Sequence, residues 1–223
     1  MGRIIAVANQ KGGVGKTTTT INLGAALAHA GKKVLLVDSD AQGNATSGLG
    51  IRKGEVNEDI YDILINEAPI SEVILKSSRE NMDVVPASIQ LAGAEVELSN
   101  LDRRETRLKS ALNEIRDQYD YILIDCPPSL GLLTINALSA ADSTLIPVQC
   151  EYYALEGLTQ LLNTIRIVQR RLNRNLSIEG VLLTMLDRRT RLGLDVINEV
   201  KLYFKEKVFN TIIPRLVRLS EAP

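Results

Sequence analysis

Residues 10–18 read Gln10-Lys11-Gly12-Gly13-Val14-Gly15-Lys16-Thr17-Thr18, and they join an apolar run, Ile4–Ala8, to a small-residue helical pattern, Thr17–Ala30. Few folds accept a strand that passes through three glycines straight into a helix. That order, strand, phosphate-loop pattern, helix, and then a second strand from Val34, is the context such a motif requires. Glycines 12, 13 and 15, with Val14 between them, let the backbone curl its N–H groups around a phosphate. The N-terminus of the helix, which begins with Thr17 to Thr20, adds a partial positive charge. Lys16 can reach β- and γ-phosphates, and the Thr17 hydroxyl can ligate Mg²⁺. Gly-rich strand–helix turns also occur for packing alone, but Gly-Lys-Thr-Thr in this setting favours a nucleotide. The pattern G-x-x-x-x-G-K-[ST] is met only from Gly15 onward, because its first glycine falls on Gln10 and a second lysine, Lys11, follows.

At 223 residues with 45% apolar content, the chain is long enough for one large domain with a substantial core. β-Branched runs at Ile4–Ala8, Val34–Val37, Met82–Val85, Tyr121–Ile124, Thr144–Val148, Gly180–Leu186 and Phe209–Ile213 alternate with helical patterns near Thr17–Ala30, Ile60–Ile65, Thr106–Gln118, Leu132–Ala140, Leu155–Leu172 and Leu194–Lys205. That alternation predicts an α/β fold, a mostly parallel twisted sheet with helices on both faces, spanning residues 1–223 as a single domain. No apolar stretch approaches the roughly 20 residues that span a bilayer, and strand pattern begins at once, which argues against a signal peptide. The two cysteines, Cys126 and Cys150, lack C-x-x-C spacing and read as reduced core thiols of a cytoplasmic protein. A formal net charge of −1 excludes general polyanion binding, so contact with nucleic acid needs a local basic patch.

Carboxylates mark the candidate metal and water positions by where they fall. The second strand ends in Val37-Asp38-Ser39-Asp40-Ala41-Gln42-Gly43-Asn44, at the sheet edge that faces a ligand crevice. Two acids there would repel a triphosphate unless they serve metal-bound or attacking water. Tyr119–Asp125 has the pattern of a Walker B strand, with Asp125 emerging at its end to hold Mg²⁺. The prolines of Cys126-Pro127-Pro128-Ser129-Leu130-Gly131 block strand pairing and leave a loop able to sense the γ-phosphate.

With its Lys11-Gly12-Gly13-Val14-Gly15-Lys16-Thr17-Thr18 loop, the chain resembles the deviant-Walker-A ATPases, and within them the ParA/Soj partitioning proteins, over all 223 residues. The resemblance implies a P-loop ATPase using ATP and Mg²⁺, working as a homodimer with nucleotide sandwiched between subunits. It assigns Lys11 to the partner's phosphates, Asp40 to the attacking water, and Asp38, beside Thr17 and Asp125, to the Mg²⁺ shell. Ala41 departs from the family's D-x-D-P-Q-G-N, where proline is usual. Pro214 and Arg215 would line the adenine ring, with Thr184 and Met185 as lesser candidates. Of the late basic residues, Arg189 and Arg218 are the positions implied for contacts with non-specific double-stranded DNA. The implied partners are a ParB-type centromere-binding protein and, in some relatives, the initiator DnaA, with a nucleoid-associated location. Relatives continue beyond this point with a final helix, which the 223 residues do not contain. A substitution such as Gly15→Val is expected to permit ATP binding yet obstruct pairing. A MinD-like membrane regulator shares the lysine-containing loop but needs a C-terminal amphipathic helix. An iron–sulfur carrier would need Cys126 and Cys150 from both subunits of a dimer to supply four thiolates.

Overall fold

A computed structural model describes residues 1–52, 54, 56–151, 154–187, 189 and 191–216, with backbone only at 154–156 and 191–192. The strands are β1 (Arg3–Val7), β2 (Val34–Asp38), β3 (Leu75–Lys76), β4 (Met82–Val85), β5 (Tyr121–Asp125), β6 (Ser143–Gln149), β7 (Ser177–Leu186) and β8 (Val208–Pro214). The helices are α1 (Lys16–His29), α2 (Asn44–Gly48), α3 (Ile70–Val73), α4 (Leu91–Leu98), α5 (Arg107–Ile115), α6 (Leu132–Ala140), α7 (Ala154–Arg171) and α8 (Arg191–Phe204). The strands form one sheet in the order β3-β4-β2-β5-β1-β6-β7-β8. Among the described residues every pairing is parallel except β3 with β4.

Side chains of β1 alternate between two cores. Ile4, Ala6 and Ala8 join the cluster that also buries α3 to α8, whereas Ile5 and Val7 join the one on the α1–α2 side. Buried on both faces, the central strands need the near-continuous apolar runs that the sequence shows. α1 presents Lys16, Thr20, Gly24 and Ala28 at i, i+4 spacing to the sheet. At Gly24 a Cβ would lie 2.7 Å from Met82 Cε, so glycine is what allows this close approach.

The strand order positions the site. β1 sits between β5 and β6; the connection from β1 runs to β2 on one side and that from β5 runs to β6 on the other, which opens a crevice at the carboxyl ends of these strands. β2 and β5 pair in a register that places Asp38 beside Asp125 at that edge. The expected α/β alternation is present, with differences at its margins. β7 begins three residues early, at Ser177, and the short antiparallel β3 is additional. The helical pattern from Ile60 widens into a π-type turn over Asp62–Asn66, closed by Glu67 at φ 56°. α2, α3 and α4 are helices that periodicity did not signal.

Candidate nucleotide site

Gly15 caps α1 from a left-handed conformation, φ 89°, and Gly13 has φ 70°. Side-chain-bearing residues adopt such angles only at a cost, so these two glycines allow the loop its shape. No side chain caps the N-terminus of α1, which leaves its first N–H groups directed into the crevice. The loop is pinned at both ends. Asn9 donates through Nδ2 to the Pro147 carbonyl (2.7 Å) and accepts through Oδ1 from the Lys11 N–H (3.0 Å). Thr184 Oγ1 donates to the Val14 carbonyl at 2.9 Å.

Lys16 is buried, and its ammonium donates to the Lys11 carbonyl at 3.1 Å. Burial lowers its pKa from the ordinary value, against the opposing pull of Asp125, Cys126 and Asp40. Below it the Thr17 hydroxyl donates to Asp125 Oδ2 at 2.7 Å, and Thr20 Oγ1 donates to Oδ1 at 3.1 Å. Burial pushes the Asp125 carboxyl up to about 7, with Asp38 beside it adding to the rise. Burial also raises Asp38. Two buried acids beside a hydroxyl form a hard oxygen donor set deficient in positive charge, and a divalent cation such as Mg²⁺ fits it.

Asp38 is held more tightly than its position alone suggests. Its Oδ2 accepts from both the N–H (2.8 Å) and the hydroxyl (2.7 Å) of Thr46, and its Oδ1 accepts from the Asp40 N–H at 3.2 Å. Asp40 closes a turn, accepting at Oδ1 from the Gln42 N–H (3.0 Å) and at its carbonyl from Gly43 (2.8 Å). Ala41, where proline was the expected residue, packs against the core. Across the crevice Cys126 is buried, and burial raises its thiol pKa well above the ordinary value. The loop that follows it ends at α6, where Glu95 of α4 accepts the Leu133 N–H at 3.2 Å.

A cleft of about 700 Å³ runs from the loop along α1 to β7 and β8. Gly15, Thr18, Thr184, Met185, Pro214 and Arg215 all line it, so residues predicted for the base and residues predicted for the phosphates share one cleft. Met185 sits at φ 53°, a strained angle for this residue at the end of β7. The Lys11 ammonium lies 3.7 Å from Glu151 Oε2, while Arg215, which lines the cleft, donates to Glu151 Oε1 at 2.9 Å. Arg189 is exposed and engages Asp187 through two bonds, Nε to Oδ1 at 2.9 Å and Nη2 to Oδ2 at 2.7 Å. Arg218 lies outside the described residues.

Asn9, Thr46, Glu95 and Glu151 were not anticipated from the sequence. Asn9 directly precedes the loop and could have been suspected as its anchor. The other three act on partners distant in the chain.

Comparison with known proteins places this geometry in a family context. Residues 2–178 match a family model described as an AAA domain. The chain is 67% identical over 223 residues to the sporulation initiation inhibitor protein Soj of Bacillus subtilis, covering all of this chain and 88% of that protein. It is 58% identical to the chromosome partitioning protein ParA of Myxococcus xanthus, over all of this chain and 79% of that one. Among solved structures, cobyrinic acid a,c-diamide synthase of Mycobacterium smegmatis, with a bound ATP analogue and magnesium, superposes with a TM-score of 0.91 at 42% identity, covering 96% of this chain and 85% of that one. A plasmid partition protein of Borrelia burgdorferi bound to AMPPNP gives 0.85 at 29% identity, covering 99% and 88%.

Proposed function

The chain belongs to the ParA/Soj family of chromosome-partitioning ATPases, and from that premise we propose that it is an ATP-dependent switch that pairs with a second copy, holds DNA while paired and lets go on hydrolysis. One observation carries the ATPase part: the buried Lys16 ammonium, the Thr17 hydroxyl and the Asp125 carboxylate meet where α1 offers its free N–H groups. Lys16 and the backbone from Gly12 to Thr18 would hold the phosphates. Thr17 and Asp125, with Asp38 behind them, would hold Mg²⁺, which neutralises phosphate charge when bound. Asp40 orients the attacking water from its turn, and Pro214, Arg215, Thr184 and Met185 take the base. ATP analogues and magnesium in the mycobacterial structure, and AMPPNP in the borrelial one, support this reading.

Lys11 completes the switch. An amine delivered to a partner's triphosphate would offset charge in the transition state and make hydrolysis depend on pairing. Phosphate contacts from Arg189 and Arg218 would then be doubled in the pair, with a ParB-type protein stimulating release. DnaA is a further partner on the same reading, and the nucleoid is where DNA binding would place the protein. The names of the partitioning relatives, at higher identity than the mycobacterial synthase, favour this function over ATP-driven amide synthesis.

Sedimentation with ATP and Mg²⁺, with and without duplex DNA, tests it. The expected result is an ATP-dependent dimer that co-sediments with DNA, and a Lys16→Ala variant that stays monomeric and off DNA. A wild-type chain that hydrolyses ATP at full speed as a monomer would overturn the switch.

A further inference from the structure

We propose that Thr46 is a positioning residue for hydrolysis, setting the Asp40 carboxylate through Asp38; this rests on the reading of Asp40 as the residue that orients the attacking water. Thr46 lies on α2, outside the phosphate loop, and is fully buried. Its hydroxyl is used in both senses. As a donor it bonds Asp38 Oδ2 at 2.7 Å, and as an acceptor it takes the Ala87 N–H at 3.0 Å. Its own N–H makes a second bond to Asp38 Oδ2 at 2.8 Å. The remaining oxygen of Asp38 accepts the Asp40 N–H.

These contacts form a chain of fixed parts. Ala87 follows β4, and its neighbour Pro86 accepts the Ile60 N–H at 3.0 Å, so the anchor belongs to the rigid core. From that anchor Thr46 fixes the Asp38 carboxylate, and Asp38 fixes the backbone of residue 40. In a buried setting each bond is costly to leave unmade, because neither Ala87 N–H nor Asp38 has water as a substitute. Removing the hydroxyl would leave Ala87 N–H without its acceptor and Asp38 held by the Thr46 and Asp40 N–H groups alone, which loosens the carboxylate and with it the Asp40 turn. The hydrogen bonds of Lys16, Thr17 and the α1 N-terminus do not involve Thr46, so binding of the nucleotide's phosphates, read as ADP affinity without Mg²⁺, should be spared.

Thr46→Val keeps the branched shape and removes the hydroxyl, while Thr46→Ser keeps the hydroxyl and removes the methyl. Turnover at saturating ATP with Mg²⁺, and ADP affinity by calorimetry without Mg²⁺, are measured for both, beside Asp40→Ala. We expect Thr46→Val to lower kcat on the order of 10²-fold, the scale of a misplaced catalytic group, with ADP affinity within about threefold of wild type. Thr46→Ser should recover most of kcat, and the Asp40→Ala/Thr46→Val double variant should be no slower than Asp40→Ala alone. Wild-type turnover in Thr46→Val beside a slow Asp40→Ala would overturn the proposal. So would a loss of ADP affinity in step with kcat, which marks a structural residue only. Should valine prevent folding, Thr46→Ala decides by the same two measurements. Wild-type turnover in Asp40→Ala instead sinks the reading of Asp40 itself, a separate outcome.

Discussion

Asp125 shows how a single residue couples protonation to metal. Its carboxyl titrates at about 7 in the fold against 3.8 in an unfolded chain, with burial as the first cause and Asp38 as the second. A carboxyl with a raised pKa binds its proton more tightly when folded. Its contribution to stability is therefore complete below the unfolded value and is lost as pH rises through the folded one. A divalent cation held there, as proposed, would take the proton's place, so stabilisation by Mg²⁺ and ADP should grow as pH is raised from about 5 to about 8. Thermal melts at several pH values, with EDTA or with Mg²⁺ and ADP, check this; a gap of constant size would contradict it. The glycines of the loop divide in the same physical terms. Gly15→Val puts a β-branched side chain at φ 89°, whereas a side chain at Gly12 would meet only Pro128 Cβ, 3.9 Å away, with no positive φ to satisfy. Gly15→Val should therefore distort the loop and weaken ADP binding by roughly tenfold, for a strain of about 1–2 kcal/mol. The sequence-based expectation, that this variant permits ATP binding yet obstructs pairing, stands beside this loss of affinity. Gly12→Val should keep ADP affinity, and calorimetry on both variants separates the two.

At the scale of elements, β1, the loop and α1 were legible because residue type and spacing there are dictated locally. β5 was legible too, since five buried or half-buried residues end in a single acid. α2 was not: Asn44-Ala45-Thr46-Ser47-Gly48 reads as a turn, and it is helical because Gly43 caps it at φ 59° and Asp38 accepts its third N–H. α4 was hidden by Gly93 and by the exposed Val96, which blur its apolar stripe. Its role is equally non-local, because Glu95 reaches across 38 residues to the first turn of α6. A carboxylate there completes a helix end that has no cap of its own. Glu95→Ala should cost about 1 kcal/mol of stability, seen as a lower denaturant midpoint at unchanged slope. Glu95→Gln should recover part of it. Thr46 escaped notice for the same reason, as its hydroxyl meets Ala87, 41 residues on. Spacing along a chain reports local partners, whereas these contacts are fixed by how strands are ordered in the sheet.

For the molecule as a whole, a net charge of −1 means that any hold on DNA rests on a few cations. On the proposed reading Arg189 is one of them, and it would have to exchange Asp187 for a phosphate. Arg189→Ala should therefore weaken binding to duplexes of any sequence alike. It should also flatten the plot of log affinity against log salt by about 0.9 for each phosphate no longer neutralised. An unchanged slope in titrations at several salt concentrations would remove Arg189 from the interface. Lys11 poses the matching question for self-association. Its ammonium rests 3.7 Å from a carboxylate that Arg215 already occupies, and both groups stand partly in solvent. Such a mooring is worth well under ~1 kcal/mol. The amine can swing away at ordinary thermal energies, so its resting berth sets no toll on departure and any stronger anion within reach will claim it.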